Sequence, residues 1–148
     1  MRKIQKNYEK RVLFNASVIL SGIRSPNGGS AKLLHFVKQK QIIGTVSETI
    51  IDEALRNAYK IPKETAQIKQ IIEHTFTHIH PAPKASLVSE SDRLVTDAGD
   101  AHVLASCKET GADFLVTLDK KHLLALQRKI KWVRIVSPKE LLENLAKK

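Results

Sequence analysis

The sequence is poor in cysteine, glycine, proline and long apolar runs, and each shortage excludes a class of protein. The single cysteine, Cys107, permits no internal disulfide, which favours a reducing compartment such as the cytoplasm. No apolar stretch approaches the roughly 20 residues of a membrane-spanning helix, and the basic start leads into no signal-peptide cleavage pattern. Six glycines and five prolines in 148 residues exclude fibrous and low-complexity classes. We therefore expect a globular protein without a membrane partner.

The net charge of +10 is concentrated at the two ends of the chain. Residues 1–11 hold five basic residues and one acidic residue, and residues 120–148 hold nine basic and two acidic residues. Residues 12–119 hold eleven basic and twelve acidic residues. A basic fringe around a weakly acidic body suits a polyanionic partner such as RNA. A lysine-rich surface on any globular protein would give the same count, so charge alone does not decide. We predict a basic extension, 1–10, and one domain, 11–148.

Strand-like and helix-like segments alternate along the chain. Apolar strands are predicted at 11–14, 42–46, 76–80, 113–117 and 132–136, and helices at 18–23, 30–39, 48–60, 62–76, 100–110, 120–127 and 137–147. The predicted N-caps are Ser30, Ser47 and Ser137. Pro62 is predicted to lie in the first turn of a helix and Gly111 to end one. Residues 85–98 are predicted to form a loop with at most one helical turn. This alternation predicts an α/β fold: a three-layer α/β/α domain around a mainly parallel, roughly five-stranded sheet.

Acidic and amide side chains follow the predicted strands. In open parallel sheets, ligands bind beyond the carboxyl ends of the strands. The candidates there are Asn15, Glu48, Asp52, Glu53, Asp97, Asp100 and Asp119. We expect Glu53 to point back over the strand ends, and Glu48 and Asp52 to face solvent. Converging carboxylates require a compensating cation, and an oxygen-only ligand set favours Mg²⁺ or Mn²⁺. Such a site typically serves phosphodiester chemistry.

A family resemblance rests on four segments: VLFNASVILSG, SETIIDEALRNA, DAGDAHVLASCKETGADFLVTLDKKHLLAL and IVSPKELLENL. They resemble PIN-domain proteins, in particular the small prokaryotic branch assigned as toxin components of toxin–antitoxin systems, VapC-like in the broad sense. The resemblance covers nearly the whole chain from Arg11 onward. It implies an α/β/α domain, a cytoplasmic Mg²⁺- or Mn²⁺-dependent ribonuclease acting on single-stranded RNA, an antitoxin partner, and a homodimer or higher oligomer.

The resemblance also implies the roles of individual residues. Glu53, Asp100 and Asp119 would be the catalytic metal ligands, joined by Asp97, and Ser17 and Thr117 would support the first ligand. Asn15 stands where the family has Asp, so it would be a neutral and weaker ligand. The lost charge is worth at least about a few kcal/mol at an effective dielectric near 20. Two interpretations stay open: an active endoribonuclease, and a weakened or inactive module that binds RNA or a protein.

Basic and aromatic side chains supply further candidates. Lys120, Lys121 and Arg24 are candidates for contacting RNA phosphates, although a solvated helix start also explains the two lysines. His74, His78 and His80 lack an accompanying cysteine, so we interpret them as an exposed cluster rather than a zinc site. His102 is expected to pack beside or support Asp100. Trp132 is expected in the core.

Overall fold

The computed structural model describes residues 10–147, in which five strands form one parallel sheet. The strands are β1 (Arg11–Phe14), β2 (Ile43–Ser47), β3 (His78–His80), β4 (Phe114–Val116) and β5 (Arg134–Val136). Their order across the sheet is β3-β2-β1-β4-β5, and every neighbouring pair is parallel. The predicted five-stranded parallel sheet is confirmed, with each strand within two residues of its expected ends.

Seven α-helices connect and flank these strands. They are α1 (Ala16–Arg24), α2 (Gly29–Lys38), α3 (Glu48–Arg56), α4 (Thr65–Thr75), α5 (Ala85–Asp92), α6 (Ala101–Thr110) and α7 (Pro138–Ala146). Short 3₁₀ turns occupy Ala58–Lys60, Ala98–Asp100 and Leu124–Leu126. Within residues 10–147, no helix has the length and apolar character needed to cross a membrane.

The strand order explains the layering. The chain steps from β1 to β2 to β3 in one direction, and then returns to β4 on the other side of β1. Because parallel crossovers are right-handed, the helices between β1 and β3 cover one face and the pair α5 and α6 covers the other. The reversal creates a switch point between β1 and β4, where ligands bind in folds of this type.

The central strands are buried on both faces. Val12, Leu13 and Phe14 of β1 are fully buried, as expected for the middle of a parallel sheet. The rings of Phe14 and Phe76 meet edge to face at 5.2 Å. These contacts fix the carboxyl end of β1 in the core, so the residues that follow it start from a rigid support.

The predicted helix caps at three positions are confirmed. The Ser47 hydroxyl accepts the N–H of Ile50 at 3.1 Å at the start of α3. Ser137 and Glu140 cap α7 reciprocally, at 3.1 and 2.9 Å. Gly111 ends α6 with φ of +68°, a left-handed conformation that glycine adopts at low cost. Local sequence therefore determines where these helices begin or end.

Two predicted helix starts are wrong. Ser30 does not cap α2, because that helix already begins at Gly29 with Gly28 as its N-cap. Helix α4 does not begin at Pro62. Glu64 and Gln67 form a reciprocal capping box, and this pair starts the helix at Thr65.

The segments around the later helices also differ from prediction. The predicted loop at 85–98 contains the eight-residue helix α5, which packs against α6. The predicted helix at 120–127 is replaced by turns and the short 3₁₀ segment Leu124–Leu126. The carbonyl of Asp119 accepts the N–H of Leu124 at 2.9 Å, five residues along the chain instead of the four of an α-helix. Trp132 is 41% exposed rather than buried, with the Lys108 ammonium 4.7 Å above its ring. A cation stacked on the ring accounts for its place at the surface.

Candidate functional site

Asn15 follows β1 directly and lies at the switch point of the sheet. Its side chain is held by two hydroxyl groups: Ser17 Oγ donates to Asn15 Oδ1 at 2.7 Å, and Thr117 Oγ1 donates to the same oxygen at 2.9 Å. Thr117 follows β4, the strand adjacent to β1, so one of these bonds joins residues 102 positions apart. Asn15 is only 7% exposed. The three side chains connect the ends of the two central strands.

The hydroxyl groups determine how the Asn15 amide is oriented. Ser17 Oγ accepts the N–H of Leu118 at 3.2 Å, and Thr117 Oγ1 accepts the N–H of Asp119 at 3.1 Å. Each hydroxyl proton is therefore directed at Asn15, and only the amide oxygen can accept two protons. Both lone pairs of Oδ1 are then occupied. The other end of the amide is an NH₂ group, which cannot bind a cation.

Asp97, Asp100 and His122 form the candidate metal-ligand group of this site, called the metal-ligand group below. Among residues 10–147 they are the one set of three acidic, histidine or cysteine side chains whose ligand atoms all lie within 4.8 Å of one another. Asp97 precedes the 3₁₀ turn before α6, and its Oδ1 accepts the N–H of Gly99 at 2.9 Å. His122 comes from the turns after β4. The group thus joins the start of α6 to the end of β4.

The Asp100 carboxyl has one oxygen without a hydrogen-bond partner. Its Oδ2 is buried and accepts no hydrogen bond from the described residues. Burial raises the pKa of Asp100 to about 6, and the carboxylates of Asp119, Asp97 and Glu53 contribute, against an opposing effect of His122. A buried carboxylate surrounded by like charge is stabilised by a cation.

Asp119 orients His122. Its Oδ1 accepts the backbone N–H of His122 at 3.0 Å, and its Oδ2 lies 3.5 Å from the Nδ1 of the same residue. The Asp119 carboxylate therefore fixes the backbone of His122 and lies beside its ring. His122 is not among the metal ligands predicted from sequence. Its spacing of three residues from Asp119 was a usable signal, because that spacing brings the two side chains together in a turn.

Glu53 lies at the border of this group, in α3 beyond β2. Burial raises the pKa of Glu53, with Arg56 opposing and Asp97 adding to the effect. Its Oε1 lies 3.8 Å from Nε2 of His102, while burial, and to a lesser extent Arg56, lowers the pKa of His102. Neither partner is driven to its charged form, so this contact is not an ion pair at neutral pH. His102 therefore contacts Glu53, and its packing beside Asp100 stays a prediction.

The remaining candidates lie outside the metal-ligand group. Glu48 and Asp52 are exposed, as expected. The three histidines at 74, 78 and 80 do not converge within the described part of the chain. Arg24, Lys120 and Lys121 are exposed, and their role in nucleic-acid binding stays a prediction. Cys107 is fully buried, and burial raises the pKa of its thiol, which makes it unreactive.

The arrangement suits a divalent cation. Two carboxylates and one imidazole offer three ligand atoms, and Asp100 also carries a buried oxygen without a hydrogen-bond partner among the described residues. Ligand atoms on one octahedral ion of the Mg²⁺ size are at most about 4.2 Å apart, so small side-chain movements would close the set. Asp119 and Glu53 add charge at its border, whereas Asn15 presents no free oxygen to it.

Comparison with known proteins gives one family and several solved structures. A family model described as PIN domain matches residues 11–121. No curated protein matches the chain. The fold resembles VapBC2 from Rickettsia felis bound to a DNA fragment from their promoter, with a TM-score of 0.62 and 14% identity over 86% of this chain and 98% of that chain.

Two further structures are similar. PAE2754 from Pyrobaculum aerophilum has a TM-score of 0.61 and 20% identity over 93% of this chain and 90% of that chain. VapC20 from Mycobacterium tuberculosis, a sarcin–ricin-loop-cleaving toxin, has a TM-score of 0.54 and 11% identity over 74% of this chain and 91% of that chain. At such identities the similarity establishes a common fold.

Proposed function

We propose, because this chain belongs to the PIN domain family, that it is a divalent-cation-dependent endoribonuclease that hydrolyses phosphodiester bonds of single-stranded RNA. The observation that carries the proposal is the convergence of Asp97, Asp100 and His122 at the switch point, with Asp119 and Glu53 at the border. Acidic groups at this place repel an RNA phosphate unless a cation lies between them. Cation-dependent phosphodiester hydrolysis is the chemistry that fits such a group.

Each residue has a distinct task in this proposal. A divalent cation, when bound, supplies positive charge for the phosphate and increases the acidity of water. Asp97, Asp100 and His122 would hold it, and Asp119 would keep His122 in position through its hydrogen bond from the backbone N–H and its contact with the ring. Glu53 is half-buried with a raised pKa, so its carboxylate is suited to accept a proton from the attacking water.

The mixed donor set favours Mn²⁺ over Mg²⁺. Mg²⁺ prefers an octahedron of oxygen ligands, whereas an imidazole nitrogen is better tolerated by transition-metal ions. The expectation from sequence assumed oxygen ligands throughout, and His122 changes that set. Mn²⁺ is therefore the ion to use in the first experiments.

Cleavage of single-stranded RNA in Mn²⁺ tests this function. The wild type is compared with Asp100→Asn, which removes a central ligand, and with Asp52→Asn, which removes an equal charge from an exposed position in α3. We expect cleavage by the wild type and by Asp52→Asn, and at least a tenfold loss in Asp100→Asn, as for a lost charged interaction of about 1.4 kcal/mol or more. Equal cleavage by all three proteins, or by none, would contradict the proposal.

A second candidate function is a binding module without catalysis. It is favoured by one observation: both lone pairs of Asn15 Oδ1 are used by Ser17 and Thr117. Without a ligand at position 15, the site has fewer donors than a complete acidic set. Calorimetric titration with Mn²⁺ separates the two functions, because a site that has lost catalysis in this way should bind no Mn²⁺ at millimolar concentration.

The biological setting follows from the same family membership. We propose a toxin component that acts in the cytoplasm, pairs with an antitoxin protein and forms a homodimer or higher oligomer. The similarity of fold to VapBC2 supports the antitoxin partner. Light scattering on the purified chain measures the oligomeric state, and a monomer at micromolar concentration would exclude the dimer. Growth arrest on expression, absent in Asp100→Asn, is expected of a toxin.

A further inference from the structure

A cavity of about 450 Å³ lies beside the carboxyl ends of β1 and β4 and includes none of the three metal-ligand residues in its lining. It lies between α1, the turn at Ala58–Lys60 and the segment after β4, and its lining includes Ser17, Arg24, Asn57, Lys60 and Leu118. None of the described residues that line it is acidic, and two are cations. The cavity is therefore positively charged, and Leu118 in its lining directly precedes the acidic Asp119 in the chain.

The cavity is linked to the site through shared residues. Ser17 lines the cavity and donates to Asn15 at 2.7 Å. Leu118 lines it too, donates its N–H to Ser17 at 3.2 Å, and is followed in the chain by Asp119. An RNA strand with one phosphate at the metal-ligand group has its neighbouring nucleotide on the adjacent protein surface. This cavity is part of that surface.

Its chemistry matches the parts of one nucleotide. Arg24 and Lys60 are suited to a phosphate group. Leu118 is 43% exposed, one of few large apolar side chains at the surface of the described chain, and it offers an apolar contact to the face of a base. Asn57 is held by a bond from its Nδ2 to the carbonyl of Glu53 at 2.9 Å, which leaves Oδ1 as an acceptor for a base edge. The volume lies within the usual range of ligand pockets.

We propose that this cavity binds a single nucleotide of the RNA strand, next to the phosphate that is cleaved. The inference rests on the proposed ribonuclease function and specifies its substrate contact. Arg24 and Lys60 hold the phosphate of that nucleotide, and Leu118 contacts its base. An acidic peptide of a protein partner is the competing occupant. The amide and the exposed apolar contact beside the cations favour a nucleotide.

Equilibrium binding of a fluorescent single-stranded ten-nucleotide RNA tests the proposal. EDTA is present, so that binding is measured without cleavage. The double variant Arg24→Ala/Lys60→Ala is compared with Lys69→Ala/Lys139→Ala, which removes two exposed charges from α4 and α7. Two lost phosphate contacts should weaken binding about 25-fold at 0.1 M salt and reduce the salt slope by about 1.4. The control pair should change the affinity by less than about threefold.

Leu118→Ala separates the apolar contact from the charges. It should weaken binding by roughly three- to fivefold, as expected for partial loss of one buried aliphatic side chain, with the salt slope unchanged. Equal affinities for the double variant and its control, or an unchanged salt slope in the double variant, would overturn the proposal. The proposal would also be overturned if the double variant lost binding to a polyglutamate peptide while it bound RNA as tightly as the control.

Cleavage in Mn²⁺ is measured separately, so that the two proposals can fail independently. Cavity-dependent RNA binding without any cleavage would refute the ribonuclease and support the nucleotide site. If the double variant cleaves RNA and also binds it with the same affinity as its control, the ribonuclease proposal is supported and the nucleotide site is refuted.

Discussion

Replacing Asn15 with aspartate should increase the affinity of the site for Mn²⁺. Ser17 and Thr117 already donate two hydrogen bonds to Oδ1 of residue 15, at 2.7 and 2.9 Å. In Asn15→Asp the same donors would hold one carboxylate oxygen, and the second oxygen would replace the NH₂ group. That oxygen can bind a cation, whereas the NH₂ group cannot. The variant thus adds a ligand at a place that is already ordered.

The size of the effect follows from Coulomb's law and from the screening at this site. Two unit charges about 4 Å apart interact by about 4 kcal/mol at an effective dielectric of 20. The attraction to a divalent ion is larger. Desolvation of the new carboxylate and its repulsion from Asp100 and Asp97 oppose it, because Asn15 is only 7% exposed. We take a net gain of about 2 kcal/mol, which corresponds to roughly 30-fold tighter binding.

Calorimetric titration with Mn²⁺ at pH 7.5 measures this gain. Asn27→Asp is the matched control, because Asn27 is exposed in the turn between α1 and α2 and gains the same charge. We expect a change of less than about twofold in the control, as a distant charge on the surface is screened by salt. An unchanged Mn²⁺ affinity in Asn15→Asp would refute the reasoning, since the new oxygen would then not reach the ion.

The same substitution should lower thermal stability when no metal is present. The new carboxylate adds negative charge beside Asp100, whose pKa is already raised to about 6 by burial and by nearby acids. Thermal unfolding in EDTA should show a lower midpoint for Asn15→Asp than for the wild type, and Mn²⁺ should reverse the order. A midpoint in EDTA that is equal to or above that of the wild type would contradict the predicted repulsion.

Four further predictions concern the residues around Asn15. Since the pKa of Asp100 is about 6, protons compete with the ion, and Mn²⁺ affinity measured by calorimetry should fall about tenfold from pH 7 to pH 5; equal affinities would contradict this. Without metal, the raised pKa of Asp100 adds stability at low pH, so its contribution to the free energy of unfolding, measured by denaturant titration, should fall by about 1 kcal/mol, after allowance for solvent screening, as pH rises from 4 to 6. Asp100→Asn should make the measured fall smaller by that amount, and Glu53, whose pKa is also raised, should account for part of what remains. Thr117→Val should cost about 1–3 kcal/mol in the same titration because Asn15 loses a donor, whereas Thr117→Ser keeps the hydroxyl and should cost less; equal costs would exclude the hydroxyl as the cause. His122→Gln should reduce the calorimetric preference for Mn²⁺ over Mg²⁺, and an unchanged ratio would show that the imidazole is no ligand.

Most of the fold could be predicted from sequence, because its strands are short, continuous apolar runs. Residues 12–14 and 114–116 are buried throughout, and such runs between helical segments indicate a parallel sheet. One error occurred where side chains compete for a helix start. Glu64 and Gln67 cap each other, and this pair determines the first residue of α4 more strongly than a nearby proline does.

The acids of the site could be predicted in part, and the tertiary contacts could not. Asp97, Asp100, Asp119 and Glu53 follow strand ends or open a helix, which is a local pattern. His122 reaches the group only because the segment after Asp119 forms turns rather than a helix. The double hydrogen bond to Asn15 depends on β1 and β4 being neighbours, and those strands are about a hundred residues apart.

Asn15 and His122 together define the charge balance of the proposed site. Asp97 and Asp100 contribute two negative charges and an imidazole that binds a cation contributes none, so these three ligands alone would be neutral with a divalent cation bound, while Asp119 and Glu53 keep the border of the group acidic. An aspartate at position 15 would leave it negative. With Asn15 the group repels a phosphate less, but it also has no net positive charge with which to attract one. Attraction of RNA must then come from cations outside the group, and Arg24 and Lys60 are those beside it.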